Sequence, residues 1–143
     1  MNTKRLILAI VAVFAGVFVT DYLIHEVWLK SDYQATMSLW RSKEDMQRHF
    51  PFLLAGQFLA SLMFVVIWSH AAVMTLPRAC AFGLCMGLAR ESTTLVSYFA
   101  QPLPSEIAVK WFVAGALQAT LMGVILFFTY KPKARPQSAA PAV

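Results

Sequence analysis

Apolar residues gather in four long runs, at 6–29, 51–73, 80–100 and 107–130. Each is close to or beyond the roughly 20 residues that an α-helix needs to cross a bilayer. The pattern predicts an all-α membrane protein: four transmembrane helices in an up-down bundle, forming one domain over residues 1–130. Between the first two runs lies the only polar stretch of any length, residues 30–50. There Tyr33, Met37 and Trp40 fall at i, i+4 and i+7, and Met46 and Phe50 repeat the spacing. Charged residues take other positions. This spacing predicts an amphipathic segment lying in the membrane interface with its aromatics turned inward. Ser42 with Asp45 three residues on resembles a capping box and predicts a short helix. Pro51 suits the first turn of the helix that follows. Pro77 and Arg78 fall in a short loop before the third run, and residues 131–143, rich in Pro, Ala, Lys and Arg, are expected to form a disordered cytoplasmic tail.

Small residues recur at four-residue spacing along the runs. The first carries Ala12, Gly16 and Thr20, and the second Gly56 and Ala60, with Gln57, Ser61 and Phe64 sharing a face. The third shows a stripe of Cys80, Gly83, Gly87, Glu91, Thr94 and Tyr98, and the fourth shows Gly115, Ala119 and Gly123 beside Gln118. Such faces let helix backbones approach closely, so Gly16, Gly83, Gly87, Gly115 and Gly123 are expected to pack against other helices. They are more than one four-helix bundle can use. The remainder leaves surface for a homo-oligomer or a larger membrane complex.

Composition agrees with a membrane setting. Of 143 residues, 59% are hydrophobic and 13% charged, against about a quarter charged in soluble domains. The net charge of +5 comes from basic residues that flank apolar runs. Orientation and contact with anionic headgroups account for them, and no basic patch interleaved with aromatics suggests nucleic acid. Val13-Phe14-Ala15 could pass as a signal-peptide cleavage site, but the apolar character continues beyond it. An even number of spans puts both ends on one side. Lys4, Arg5, Arg78, Lys131, Lys133 and Arg135 then face Lys30, Arg41, Lys43, Arg48 and Lys110. The first set lies closest to span ends, so both termini are expected in the cytoplasm. Trp28, Tyr33, Trp40, Tyr98 and Trp111 would form an outer aromatic belt, with Trp68 and Tyr130 an inner one. Cys80 and Cys85 have neither metal-site nor disulfide spacing and read as small buried hydrophobes.

The candidate chemistry lies in polar residues placed where hydrocarbon should be. From the inner end of each span, Asp21 is about 22 Å deep, His25 about 28 Å and Glu91 about 17 Å. From the outer side, Gln57 is about 9 Å in and Gln118 about 16 Å. These residues and Arg90 therefore share a band from the midplane outward. A charge at the centre of a span costs about 2.5–3.5 kcal/mol even on lenient scales, so they are expected to form one buried polar cluster. Asp21 is expected to pair with Arg90. Adjacent Arg90 and Glu91 diverge by about 100° on a helix and suit each other poorly. Glu91 is left with protonation, or hydrogen bonds to Gln57 and Gln118. His25 follows Asp21 by one turn, so the carboxylate is expected to orient the imidazole. Glu26 points elsewhere and is expected to be solvated.

Residues 20–25, then Trp28 to Tyr33, Leu39-Trp40-Arg41 and Glu44-Asp45-Met46, resemble a recurring family of small bacterial membrane proteins. Its members have four predicted spans and no assigned function. The resemblance covers most of the chain and implies a bacterial inner (cytoplasmic) membrane, but no activity. Where this family often has a small residue after the histidine, this chain has Glu26.

Three functions are open to such a chain. The first is a structural or accessory membrane protein, with buried polar residues as helix glue. The second is a small proton- or cation-coupled transporter using Asp21, His25, Arg90 and Glu91. The third is a membrane metal or redox protein. His25 and His70 lie roughly 25 Å apart in depth, too far for one shared haem. A site built from His25, His49 and a carboxylate has no supporting spacing. No catalytic motif, metal ligand set or cofactor signature is present, so no catalytic residue, metal or cofactor is expected.

Overall fold

The computed structural model describes residues 3–71, 73 and 75–130. Helix accounts for 90% of the structure, and no strand occurs among the described residues. Helix α1, Thr3–Asp21, runs directly into π-helical turns at Tyr22–Trp28. A short helix α2, Lys30–Ala35, and a 3-10 turn at Met37–Leu39 follow. Three long helices complete the fold: α3 (Lys43–His70), α4 (Leu76–Ala100) and α5 (Ser105–Thr129). Three segments are long and apolar enough to cross a membrane: Thr3–Trp28, Lys43–His70 and Ser105–Thr129. Helix α4 matches α5 in length but carries Arg78, Arg90 and Glu91.

The inward face of the first segment reads Ala9, Val13 and Val17, all buried, then Asp21 and His25, half-buried, then Leu29, fully buried. A step of four advances an α-helical face by about 40°. The wider π-turns wind that drift back, so a strict four-residue spacing keeps one face inward through both kinds of helix.

Helix α3 differs from expectation. Ser42 caps it, its hydroxyl accepting the Asp45 N–H at 3.2 Å. The helix that starts there does not stop at Pro51 but passes through it, unbroken to His70. Proline removes one backbone bond, to the carbonyl of Gln47. Gln47 is exposed at the polar end of the helix, where headgroup water can satisfy that carbonyl. Pro77 and Arg78, expected in a loop, lie in the first turn of α4, where a missing N–H costs nothing.

Helix α1 packs on α3 and α5, and α4 lies along α5. The α4–α5 contact is antiparallel and nearly bare of side chains. A Cβ on Gly83 would stand 2.5 Å from the Ala119 carbonyl oxygen, and one on Gly87 2.9 Å from the Ala116 Cα. A Cβ on Gly123 would strike the Ala79 carbonyl. The buried stripe of α4 is thus Ala79, Gly83, Gly87, Glu91 and Thr94. It is turned slightly from the expected one, leaving Cys80 half-buried and Tyr98 exposed. Cys85, expected to be buried, is exposed. Gly16 packs on Met122 of α5, but Gly56 has nothing within 4 Å and faces outward. At one end α3 meets α4 through aromatic edges, with Phe82 at 5.5 Å from Phe64 and 5.2 Å from Trp68. There Trp68 donates its Nε1–H to the Tyr130 carbonyl at 2.9 Å. The expected tail at 131–143 lies outside the described residues.

Gly83→Ala and Gly123→Ala should each lower thermal stability in detergent by about 1–3 kcal/mol, because backbone must move to admit a methyl group. Gly56→Ala should be neutral or stabilise by up to about 1 kcal/mol, the helical preference of alanine over glycine. Equal losses at all three positions in the same melt would contradict the packing.

Candidate functional site

The site lies where the π-turns of the first segment face α4 and α5. Helix α1 presents Asp21 because it continues the inward stripe of Ala9, Val13 and Val17. Helix α3 brings Gln57 and α5 brings Gln118, both buried. Gln57 donates its Nε2–H to Asp21 Oδ2 at 2.5 Å, and Gln118 donates to Asp21 Oδ1 at 2.6 Å. Gln118 Nε2 also reaches Thr20 Oγ1 at 2.7 Å. Both oxygens of the carboxylate are therefore held by neutral amides. The Oε1 atoms of Gln57 and Gln118 are buried without a donor.

The expected Asp21–Arg90 pair does not form. Arg90 turns along its own helix, and its Nε lies 3.0 Å from Glu91 Oε1. Neighbouring side chains on a helix diverge at Cβ, but the long arginine stem curls back far enough to overcome this. Glu91 does not bond Gln57 or Gln118 either; its second oxygen accepts from Thr94 Oγ1 at 2.7 Å. The carboxylate lies directly on the Cα of Gly115, where any Cβ would overlap it. Gly115 thus makes room for a buried acid as well as for a helix. Ion pairs join Arg41 and His49 to Asp45, Arg90 to Glu91 and Lys110 to Asp32. None involves Asp21.

His25 differs from expectation as well. Its Nδ1 lies 2.5 Å from Tyr33 Oη, not on Asp21. Tyr33 Oη also accepts the Nε1–H of Trp111 at 2.6 Å. Trp111 can only donate, which leaves the phenolic O–H free to be donated to His25 Nδ1. In this chain of donors a neutral imidazole carries its proton on Nε2. Trp40 packs edge-on against Tyr33 at 5.3 Å and bonds Thr36 through its Nε1–H. Lys110 grips both oxygens of Asp32 at 2.8 Å, which fixes α2 over the start of α5. Of the residues of 30–50 expected to turn inward, Tyr33 and Trp40 do so and are half-buried, whereas Met37, Met46 and Phe50 are exposed. Glu26 is exposed, as expected.

Beneath this cap lies a cavity of about 280 Å³, lined by Asp21, His25, Arg90, Glu91, Trp111 and Gln118 among others. Five of the six expected cluster residues border it; Gln57 reaches it only through Asp21. Residue patterns did not single out Thr20, Tyr33 or Trp111 as site partners. One signal was present: Asp32-Tyr33 and Lys110-Trp111 are complementary pairs of acid-aromatic and base-aromatic neighbours. His49 bonds within its own helix to Asp45, and no group of three metal-binding side chains forms among the described residues.

No family model, no curated protein and no solved structure matches the chain.

Burial pushes the Tyr33 phenol up to about 12 from its usual 10.0, although the Trp111 hydrogen bond acts in the opposite sense. The folded state then holds a proton that the unfolded chain has released. Stability from Tyr33 is complete below the unfolded value and is lost as pH rises through the folded one. Tyrosinate absorbance should therefore show one residue titrating late, and Tyr33→Phe should remove that late step. A titration unchanged by the variant would contradict the buried phenol.

In double-mutant cycles, Asp21→Asn with Gln118→Leu should couple by about 1–3 kcal/mol, the range of a hydrogen bond to a charge. Asp21→Asn with Arg90→Ala should be close to additive. The reverse ranking in thermal melts would restore the Asp21–Arg90 pair.

Proposed function

We propose that this is a small four-span protein of a bacterial inner membrane that binds a small cation, the proton included, at Asp21 and passes it through the cavity under α2. Helix α4 serves as the fourth span. Its length supports this, as does its close packing along α5, with Glu91 buried and paired to Arg90 and with Arg78 in its first turn. Both termini lie in the cytoplasm, so that α2 caps the outer end, in keeping with the small bacterial membrane proteins that the sequence resembles.

One observation carries the reading. Asp21 accepts only from neutral amides, while the neighbouring charges Arg90 and Glu91 neutralise each other. An acid that serves only as glue gains most from a fixed cation, since removing water from a lone charge costs several kcal/mol. An acid that must take up and release a cation cannot keep a permanent one. The polar cavity beside Asp21 supplies room for the exchange, and His25, joined through Tyr33 to the cap, stands between Asp21 and the outer surface.

An accessory role in a larger complex is the second reading. It draws on the outward face of α3, where Gly56 is unpacked. It loses the surplus of small-residue faces, because Gly16, Gly83, Gly87, Gly115 and Gly123 are all consumed inside one chain.

In proteoliposomes, an imposed proton or alkali-cation gradient should drive flux through the wild type. Asp21→Asn should reduce it at least about tenfold with helix content retained, the loss expected when a binding interaction of 1.4 kcal/mol or more is removed. No flux under any gradient, together with a stoichiometric partner recovered from native membranes, would favour the accessory reading.

A further inference from the structure

The geometry at Asp21 distinguishes between the cations it could take. Three short contacts define the cage: Gln57 Nε2 at 2.5 Å, Gln118 Nε2 at 2.6 Å, and Gln118 Nε2 to Thr20 Oγ1 at 2.7 Å. These are hydrogen-bond lengths. An alkali cation of sodium's size needs oxygens at about 2.3–2.6 Å on every side, as calcium does. Two oxygens facing each other across such an ion would stand about 4.6–5.2 Å apart. Admitting it into the cage would mean opening each short contact by more than an ångström, between the packed helices α1, α3 and α5.

A proton needs no such opening. A glutamine amide exchanges its oxygen and NH₂ by a half-turn of its terminal bond. As it stands, the cage fits an ionised carboxylate, with one N–H donor on each oxygen. If Asp21 gains a proton on Oδ1, that oxygen becomes a donor, and the Gln118 NH₂ facing it no longer fits. A half-turn of Gln118 brings its Oε1 to accept the new O–H. The Thr20 hydroxyl, now bonded to the Gly16 carbonyl at 2.7 Å, can turn to the same Oε1. The Gln118 NH₂ swings to the buried place of the present Oε1, which has no donor now, so that either state leaves that end of the amide without a partner. Gln57 does not line the cavity and keeps its bond to Oδ2. The two states differ by one proton and one half-turn, with no heavy-atom displacement of the helices.

Resting on the reading of Asp21 as the binding group, we infer that its ligand is the proton, and that Gln118 is the specificity-determining residue that adapts the cage to either state. The proton comes from cavity water as COO⁻ becomes COOH, and returns there on release. The titratable groups that face Asp21 are His25 on its own segment, with Glu26 beyond it, Tyr33 of α2, and Arg90 and Glu91 of α4. Helix α3 brings only the neutral Gln57. Helix α5 brings the neutral Gln118, its Lys110 being tied to Asp32.

Infrared spectroscopy of the full chain in lipid tests this through the carboxylic-acid C=O band. A band should grow as pH falls, be missing in Asp21→Asn, and stay in place when sodium replaces choline at constant ionic strength. Gln118→Leu removes a donor to the ionised form and should move the transition up by about one pH unit or more. Gln118→Asn keeps an amide of shorter reach and should shift it in the same direction, which keeps the test open if the leucine variant does not fold. A band that sodium displaces in proportion to its concentration would overturn proton selectivity and leave cation binding standing. Proton flux with no Asp21 band at any pH would overturn Asp21 as the carrier. Loss of both band and flux would overturn the reading on which the inference rests.

Discussion

The contact between α4 and α5 sets the geometry of everything above it. Glycines let the two backbones touch, so neither helix can shift along or away from the other without losing that contact. Each small residue removes side-chain volume from the seam, and dispersion between backbones replaces it. Where the seam reaches Glu91, Gly115 gives way to a carboxylate instead of a methyl group. A polar cavity opens beside that point, lined by Glu91 and Gly115 with Asp21 and His25 opposite. The same contact that stiffens one end of the bundle therefore determines where it opens.

The other wall of the cavity comes from the change of helix type after Asp21. An α-helix continued at this point would carry the four-residue stripe away from α5. The π-turns hold Asp21, His25 and Leu29 on one side, so that Asp21 meets Gln118 and His25 meets the cap. The cap in turn depends on a charge pair and an aromatic chain acting together. Lys110 fixes α2 by Asp32, which places Tyr33 between Trp111 and His25. A segment that could have lain loosely on the membrane surface is thus tied to the helix that carries Gln118.

Much of this was legible in the chain and some was not, for definable reasons. Apolar runs and glycine spacing identified the long helices and the packing faces of α4 and α5, though not that these two faces meet, because both depend on local periodicity. That Asp21, Glu91, Gln57 and Gln118 come to one level of the bundle followed from counting rise per residue. What failed was pairing. Formal charge favoured Asp21 with Arg90, yet the arginine stem is long enough to reach its own neighbour. The amides, which carry no charge to flag them, took Asp21 instead. The end of a helix at Pro51 was also misplaced, since a proline near the polar end of a span loses a bond that water can replace. The π-turns gave no compositional sign at all; they satisfy a tertiary requirement on the direction of one face.

The distribution of charge follows from these pairings and bears on mechanism. Glu91 is buried with its cation beside it and with Gly115 shaped to receive it. Asp21, with hydrogen bonds on both oxygens and no cation, has an environment that can be rearranged by turning an amide. Two acids on facing helices thus have opposite assignments. One anchors Arg90 at the cavity wall, and the other is held by neutral amides alone. A bundle that needed only glue would gain more from pairing Asp21 with Arg90 and burying no carboxylate at Glu91. The arrangement retained instead separates a structural ion pair from a single adaptable acid, with a polar cavity between them.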